Sequence, residues 1–274
     1  MLRDRFLPKI LPKKFNADDE LQVIGGPKVG CLGPAVRCLL WNILKAKREN
    51  WLADFSALLE MSDLVMLQEA VFNAPSDSMF TQQDGFEWVM ARSFKDPLSQ
   101  IEHGVKTGCI CTATERHFYL SPHAEPVLQT QKLLLTTLYP LKGSEKHLLV
   151  LNMHAINFVN IKKYAEQIDQ IGAVLGLHSG PVILGGDFNT WNPARLAHFQ
   201  RVTSEAGLVE AVMVRSSKLA HMNQHLDHLF YRGLRLESVE SLESVQSSDH
   251  APIVATLTYV PGGELNLGLQ PPGR

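Results

Sequence analysis

The apolar run Val182-Ile183-Leu184 ends in Gly185-Gly186 and then presents Asp187 and Asn189 two positions apart. On an extended backbone alternate residues face one side, so this carboxylate and this amide can reach a single small ligand. The glycines allow the close backbone approach that such contact needs. Gly, Asp and Asn also suit an ordinary turn, and this segment alone does not decide between the two. A distant segment, Ser248-Asp249-His250 ahead of Ile253 to Leu257, adds an acid and an imidazole at the start of another strand-like run. Val36 to Trp41 leads into Asn42, Leu64 to Leu67 into Gln68-Glu69, and His147 to Met153 into His154, while Asp227 heads His228 to Tyr231. In α/β proteins ligand-binding groups collect at strand ends, so acids, imidazoles and amides recurring there form a candidate site for acting on a polar ligand.

The elements that must position these residues can be read from periodicity. Strands are expected near residues 36–41, 64–68, 86–92, 107–113, 127–138, 147–154, 182–187, 226–231 and 251–259. Trp51, Phe55, Leu58 and Leu59 keep helical spacing, as do Ile161, Tyr164, Ile168, Ile171 and Leu175 before Gly180-Pro181; a third helix is expected from Pro193 to near Gly207. Gln131 to Tyr139 and His147 to Met153 flank Gly143-Ser144 and read as an antiparallel hairpin. Hairpins and crossovers together favour two mixed sheets packed face to face, with helices outside.

With 274 residues, 45% of them hydrophobic and 20% charged, the chain can build one large core, and no composition break divides it. A net charge of -2 and a pI near 6.6 give no overall attraction to nucleic acid, which weakens a duplex-DNA substrate without excluding it. Cys31, Cys38, Cys109 and Cys111 are too scattered for a disulfide framework. Cys109-x-Cys111 lacks a second pair to complete a zinc site, and core packing is the stronger reading. His221, His225 and His228 would share a helical face suited to zinc, but Leu226 to Tyr231 reads as a strand and breaks that geometry. The N-terminus lacks the apolar core of a signal peptide, and no stretch reaches the roughly 18 apolar residues of a membrane span, so a cytoplasmic location is expected.

Trp41-Asn42-Ile43, Leu67-Gln68-Glu69, Asn152-Met153-His154, Gly186-Asp187-Phe188-Asn189, Leu226-Asp227-His228 and Ser248-Asp249-His250, in this order, resemble the endonuclease/exonuclease/phosphatase superfamily. His154 to Phe158 and Leu226 to Gly233 are similar to its bacterial YafD-like branch. The resemblance implies a deoxyribonuclease I-like fold, a four-layer α/β/β/α sandwich with two packed mixed β-sheets. Residues 1–33, with prolines, glycines and charges but no sustained periodicity, read as an irregular N-terminal arm, and Pro261-Gly262-Gly263 and Pro271-Pro272-Gly273 bracket a flexible C-terminal tail (261–274); the resemblance covers the single catalytic domain between them (34–260).

It also implies a divalent-metal-dependent phosphoester hydrolase using Mg2+ or Mn2+ and acting by in-line attack of water on phosphorus. Glu69 would be the principal metal ligand, with Asn42 beside it and Asp249 contributing directly or through water. Asp227 would orient His250 and raise its basicity; either this pair or Asp187 would activate water. Asn189 would donate to a non-bridging phosphate oxygen, and His154 would bind phosphate or protonate the leaving oxygen.

Three functions follow. A phosphodiesterase or nuclease needs a basic track, for which Arg195, Arg201, Arg215, Lys218 and Arg232 are the candidates. A small-molecule or lipid-headgroup phosphodiesterase or phosphatase needs only a compact pocket, and a binding protein on the same fold needs neither Asp227 nor His250 for chemistry. Trp191 and Phe158 would stack on a base or an acyl chain, or simply pack at loop edges. The expected partner is the phosphoester substrate, nucleic acid among the candidates; the sequence points to no protein partner.

Overall fold

A computed structural model describes residues 21–72, 80, 85–126, 129–213 and 226–260. A seven-stranded sheet runs in the order β1 (Leu21–Gly25), β4 (Glu87–Lys95), β5 (Glu102–Cys109), β3 (Leu64–Phe72), β2 (Ala35–Asn42), β13 (Ile253–Thr258), β12 (Arg235–Ser241). Only β2 and β3 are parallel in it. A six-stranded sheet runs β10 (Val209–Glu210), β11 (Asp227–Arg232), β9 (Val182–Asp187), β8 (Leu148–His154), β7 (Gln131–Tyr139), β6 (Glu115–Ala124), with β8 and β9 parallel. The hairpin expected from β7 and β8 is present.

The period of two along each strand builds the layers. Cys38, Leu40, Leu64, Met66, Val150, Ile183 and Leu229 fill the space between the sheets. Their alternates Leu39, Trp41, Val65 and Leu67 face outwards against Trp51, Phe55 and Leu58 of α1 (Trp51–Glu60). On the other side Leu149, Leu151, Met153 and Leu184 pack against Tyr164, Ile168 and Ile171 of α2 (Ile161–Gly176) and Phe199 of α3 (Pro193–Glu205). Two mixed sheets between helices are the sandwich expected from the sequence. Following the inward-facing positions to the ends of β2, β3, β8 and β9 leads from apolar residues to Asn42, Gln68, Asn152, His154 and Asp187.

Gly185 and Gly186 serve close approach rather than unusual dihedrals, since neither is among the positive-φ residues. A Cβ on Gly185 would lie 2.9 Å from Met66 Cε of the facing sheet, and one on Gly186 would lie 2.0 Å from Met153 O of the neighbouring strand.

The stretch expected to be an irregular arm contains β1, which pairs with β4, and Leu32, which is fully buried and bonded through its N–H to Pro140 O. Gly25-Gly26-Pro27 cuts β1 short and hid its alternation. The edge strands β6 and β12 were missed because charged and polar residues occupy much of each. The strand expected near 107–113 begins instead at Glu102, whose carboxylate is buried against Arg92 at 2.9 Å. The strand expected from 127 begins at Gln131, after a turn in which Gln129 N–H donates to Glu125 O. Residues 261–274 lie outside the described residues, as do His221 and His225; His228 sits on β11, and Cys109 and Cys111 are buried, unpaired core residues. Among the described residues no helix is long and apolar enough to cross a membrane.

Candidate active site

Asp187 is the hub of the strand-end cluster. In the β8–β9 and β9–β11 registers it lies opposite His154 on one side and Asp227 on the other. Its side chain is buried, with Oδ2 accepting from Asn42 Nδ2 at 3.1 Å and Oδ1 accepting from the Asn189 backbone N–H at 3.0 Å. His154 Nε2 lies 3.7 Å and His250 Nε2 4.0 Å from Oδ2. His250 Nδ1 is 2.6 Å from Asp227 Oδ2. The loop carrying His250 is tied to the end of β2, because Trp41 Nε1 donates to His250 O at 2.9 Å and Ser248 Oγ donates to Asn42 O at 2.6 Å.

These contacts set the charges. Burial, then the neighbouring Asp227 carboxylate, raises Asp187 to about 6. Burial alone would depress His250, but Asp227, Asp187 and Asp249 outweigh it and raise the imidazole to about 9. Burial, reinforced by Lys132, His250 and Lys45, holds His154 well below its ordinary value. At neutral pH the centre therefore holds a neutral His154, an ionised Asp187 and a protonated His250. The 3.7 Å approach of His154 to Asp187 is accordingly not an ion pair.

Glu69 and Asn189 both occupy left-handed backbone, with φ of 48° and 49°. Glu69 sits where the pairing of β3 with β5 shifts between Leu67 and Ala70, and this irregularity turns it towards the cavity. Behind it Gln68 Nε2 donates to Asn152 Oδ1 at 2.7 Å, joining the two sheets. Asn189 Nδ2 donates one hydrogen to Ala155 O at 2.9 Å, which leaves the second amide hydrogen for a ligand. A cavity of about 310 Å3 is lined by Glu69, His154, Asp187, Asn189 and His250. Asp227 and Asn42 stand behind this lining. Asp249 is exposed and accepts from Ser248 Oγ at 3.3 Å, apart from the cavity wall.

Oxygen donors suit a hard divalent cation. Among the described residues the Glu69 carboxylate has no hydrogen bond or ion pair, and Asp227 Oδ1 is buried without a hydrogen-bond partner. Asp187, Asp227 and His250 offer ligand atoms within 4.8 Å of one another, a different grouping from Glu69, Asn42 and Asp249, although a protonated His250 has no lone pair to give. The unpartnered carboxylate oxygens of Glu69 and Asp227 thus fit a hard divalent cation.

Several residues escaped sequence reasoning. His228, weighed only for zinc, is buried on the outer face of β11 between Glu210 Oε1 at 2.7 Å and Thr190 Oγ1 at 2.8 Å. Thr190 follows Asn189, so this second carboxylate–imidazole pair braces the loop that carries Asn189; adjacency to Asn189 and Asp227 was the signal available. The expected basic track does not form from its described members. Arg195 is fully buried and donates to Ile156 O, Asn189 O and Val159 O, while Arg232 donates to Ala206 O and His178 O. Arg201 pairs with Glu205 and Asp169, and Arg215 and Lys218 lie outside the described residues. Trp191 packs on Arg195, whereas Phe158 is 72% exposed at the cavity edge.

A paired-sheet α/β sandwich with carboxylates, imidazoles and an amide converging at its strand ends defines the deoxyribonuclease I-like class of fold. A model of the Endonuclease/Exonuclease/phosphatase family matches residues 39–250, and the chain belongs to that family. A UPF0294 protein of Yersinia enterocolitica is 32% identical over 222 residues, covering 80% of this chain and 82% of the relative, in line with the YafD-like resemblance. Among solved structures, an endonuclease/exonuclease/phosphatase from Beutenbergia cavernae superposes with a TM-score of 0.65 at 17% identity, covering 82% of this chain and 72% of that one. A mannosyl-6-phosphatase from Bacteroides thetaiotaomicron gives a TM-score of 0.60 at 15% identity, covering 82% of this chain and all (100%) of that one.

Proposed function

We propose that the chain is a Mg2+- or Mn2+-dependent phosphoester hydrolase whose reacting centre is Asp187. The observation that carries this reading is the convergence of Asn42, His154 and His250 within 4.0 Å of the one buried Asp187 carboxylate. Glu69 and Asn42 would hold the cation, with Asp249 reaching it through water; once bound, it supplies charge neutralisation at phosphate oxygens.

The protein's own groups divide the remaining work. Asp187, ionised above about 6, takes the proton of the attacking water as its oxygen bonds to phosphorus. His250, held protonated by Asp227, is an acid rather than a base at neutral pH and gives its Nε2 proton towards the departing ester oxygen as the P–O bond breaks. Asn189 donates its unused amide hydrogen to a non-bridging oxygen, where negative charge builds. His154, neutral, hydrogen-bonds phosphate beside it.

Commitment of Arg195, Arg201 and Arg232 to internal partners, together with a cavity of about 310 Å3, favours a small phosphoester over a polymer. A fold neighbour named as a mannosyl-6-phosphatase supports the same direction. Four unpaired cysteines suit the proposed cytoplasmic location. The test is a metal-dependent screen on phosphomonoesters, phosphodiesters, lipid headgroups, DNA and RNA, with Glu69→Ala and His250→Ala as controls. Inactivity of the wild type on all of them with Mg2+ and Mn2+, or variants that match it, overturns the reading.

A further inference from the structure

Two lysines that play no part in this chemistry face the same cavity, Lys45 and Lys132. Lys45 lies on the turn that follows β2, where Leu44, Lys45 and Ala46 have φ of 47°, 60° and 54°. Three consecutive left-handed residues without a glycine are strained, and such strain persists where the surroundings fix it and often marks function. Asn42 Oδ1 accepts the Leu44 N–H at 3.2 Å and Ile43 O accepts the Ala46 N–H at 2.8 Å, which hold the turn. The result is an ammonium at the cavity wall with no hydrogen bond or ion pair among the described residues.

Lys132, near the start of β7, has a side chain only 17% exposed. Its acid neighbour Glu125 is 3.9 Å away, and the two oxygens of that carboxylate already accept the Asn157 N–H at 2.9 Å and the Thr130 hydroxyl at 3.4 Å. The charge of Lys132 is therefore only partly balanced. Lys45 and Lys132 both act to lower His154 and His103, so their fields overlap inside the cavity. His103, driven by burial and then by Lys45 to about 4, is neutral and stacks on Phe94 at 4.7 Å.

We propose that Lys45 and Lys132 form a second anion subsite, so that the substrate is a small phosphoester carrying another anionic group, a phosphate or a carboxylate, a few atoms from the phosphorus that is cleaved. This rests on the phosphoester-hydrolase reading above. Among the described residues they are the only lysines lining the cavity, and neither makes a hydrogen bond or ion pair with Asp187, His154 or His250, so both are available to a part of the substrate other than the phosphorus that Asp187 serves.

Calorimetric binding of 1,3-propanediol bisphosphate and of 3-hydroxypropyl phosphate, in saturating Mg2+, tests the subsite without requiring turnover. The wild type should bind the bisphosphate roughly tenfold more tightly, the scale of one good charged contact. Lys45→Met and Lys132→Met keep the apolar stems and should each reduce that preference to within about twofold, with Lys132→Arg restoring most of it. Equal affinity for both ligands in the wild type overturns the proposal. So does a preference that survives both substitutions, or an equal loss for both ligands, which would assign the lysines to the reacting phosphate. Tighter binding of a single-stranded oligonucleotide than of the bisphosphate overturns the small-substrate assignment. Hydrolysis of any phosphoester is scored separately, so turnover without bisphosphate preference sinks this proposal alone, and preference without turnover sinks the hydrolase reading.

Discussion

Asp227 and His228, consecutive on β11, point to opposite faces of the sheet, and each is half of a carboxylate–imidazole pair. Asp227 holds His250 at the cavity at 2.6 Å; His228 is held by Glu210 at 2.7 Å behind the loop that carries Asn189. A strand with a period of two thus serves the proposed reacting centre on one face and the bracing of the Asn189 loop on the other.

The inner pair predicts a pH dependence. Asp227→Asn removes the largest influence raising His250, so the alkaline limb of the rate profile, set in the wild type near 9, should move towards the ordinary imidazole value of 6.5. Because the folded-state value is raised, stability from His250 is fully present below 6.5 and is lost as pH rises through about 9. Thermal midpoints and rate profiles against pH check both, and an alkaline limb unmoved by Asp227→Asn contradicts the assignment.

The outer pair predicts a positioning effect. Thr190→Val leaves His228 Nε2 without its hydroxyl partner and should cost about 1–3 kcal/mol. As the Asn189 loop loosens, kcat should fall roughly tenfold with little change in KM, and Thr190→Ser should restore it. A loss of stability with kcat intact would make the brace purely structural.

The paired glycines should behave unequally. Gly185→Ala meets the mobile end of Met66 at 2.9 Å and should cost about 1–3 kcal/mol, as overpacking does. Gly186→Ala meets the backbone carbonyl of Met153 at 2.0 Å and should cost more than about 4 kcal/mol or prevent folding. Urea unfolding ranks the two, and equal effects would contradict the close-approach account.

Asn152→Leu should also be costly. The amide accepts from Gln68 and donates to Lys106 O at 3.1 Å and Thr107 Oγ1 at 3.2 Å, all of which would be left buried without it. A loss of about 3 kcal/mol is expected from these groups together, measurable in the same titration.

Most of the site's inward residues were legible because they continue apolar alternation, as Ile183-Gly185-Asp187 and Val150-Asn152-His154 do. The two mixed sheets followed from the same pattern. What alternation could not reveal is support that depends on tertiary contact. Glu210 meets His228 only after β10 pairs with β11, and Lys45 reaches the cavity through three left-handed residues that carry no glycine signal. Charge counting misled for Arg195, whose guanidinium serves three loop carbonyls rather than solvent. Asp249, placed near the metal by the Ser248-Asp249-His250 motif, is exposed and outside the cavity lining, close enough to help raise His250.

The most direct test of the Asp187-centred hydrolase is turnover of p-nitrophenyl and bis-p-nitrophenyl phosphate by the wild type and by Asp187→Asn. Measurements in Mg2+, in Mn2+ and in EDTA, alongside thermal midpoints, separate chemistry from folding. Metal-dependent turnover by the wild type is expected, with a fall in kcat of about 10²–10⁴ in Asp187→Asn and a cooperative but lowered thermal transition, because the new NH2 replaces one of the oxygens that accept from Asn42 and Asn189. A fully folded Asp187→Asn with undiminished turnover, or a wild type inert towards both esters with either metal, would contradict it.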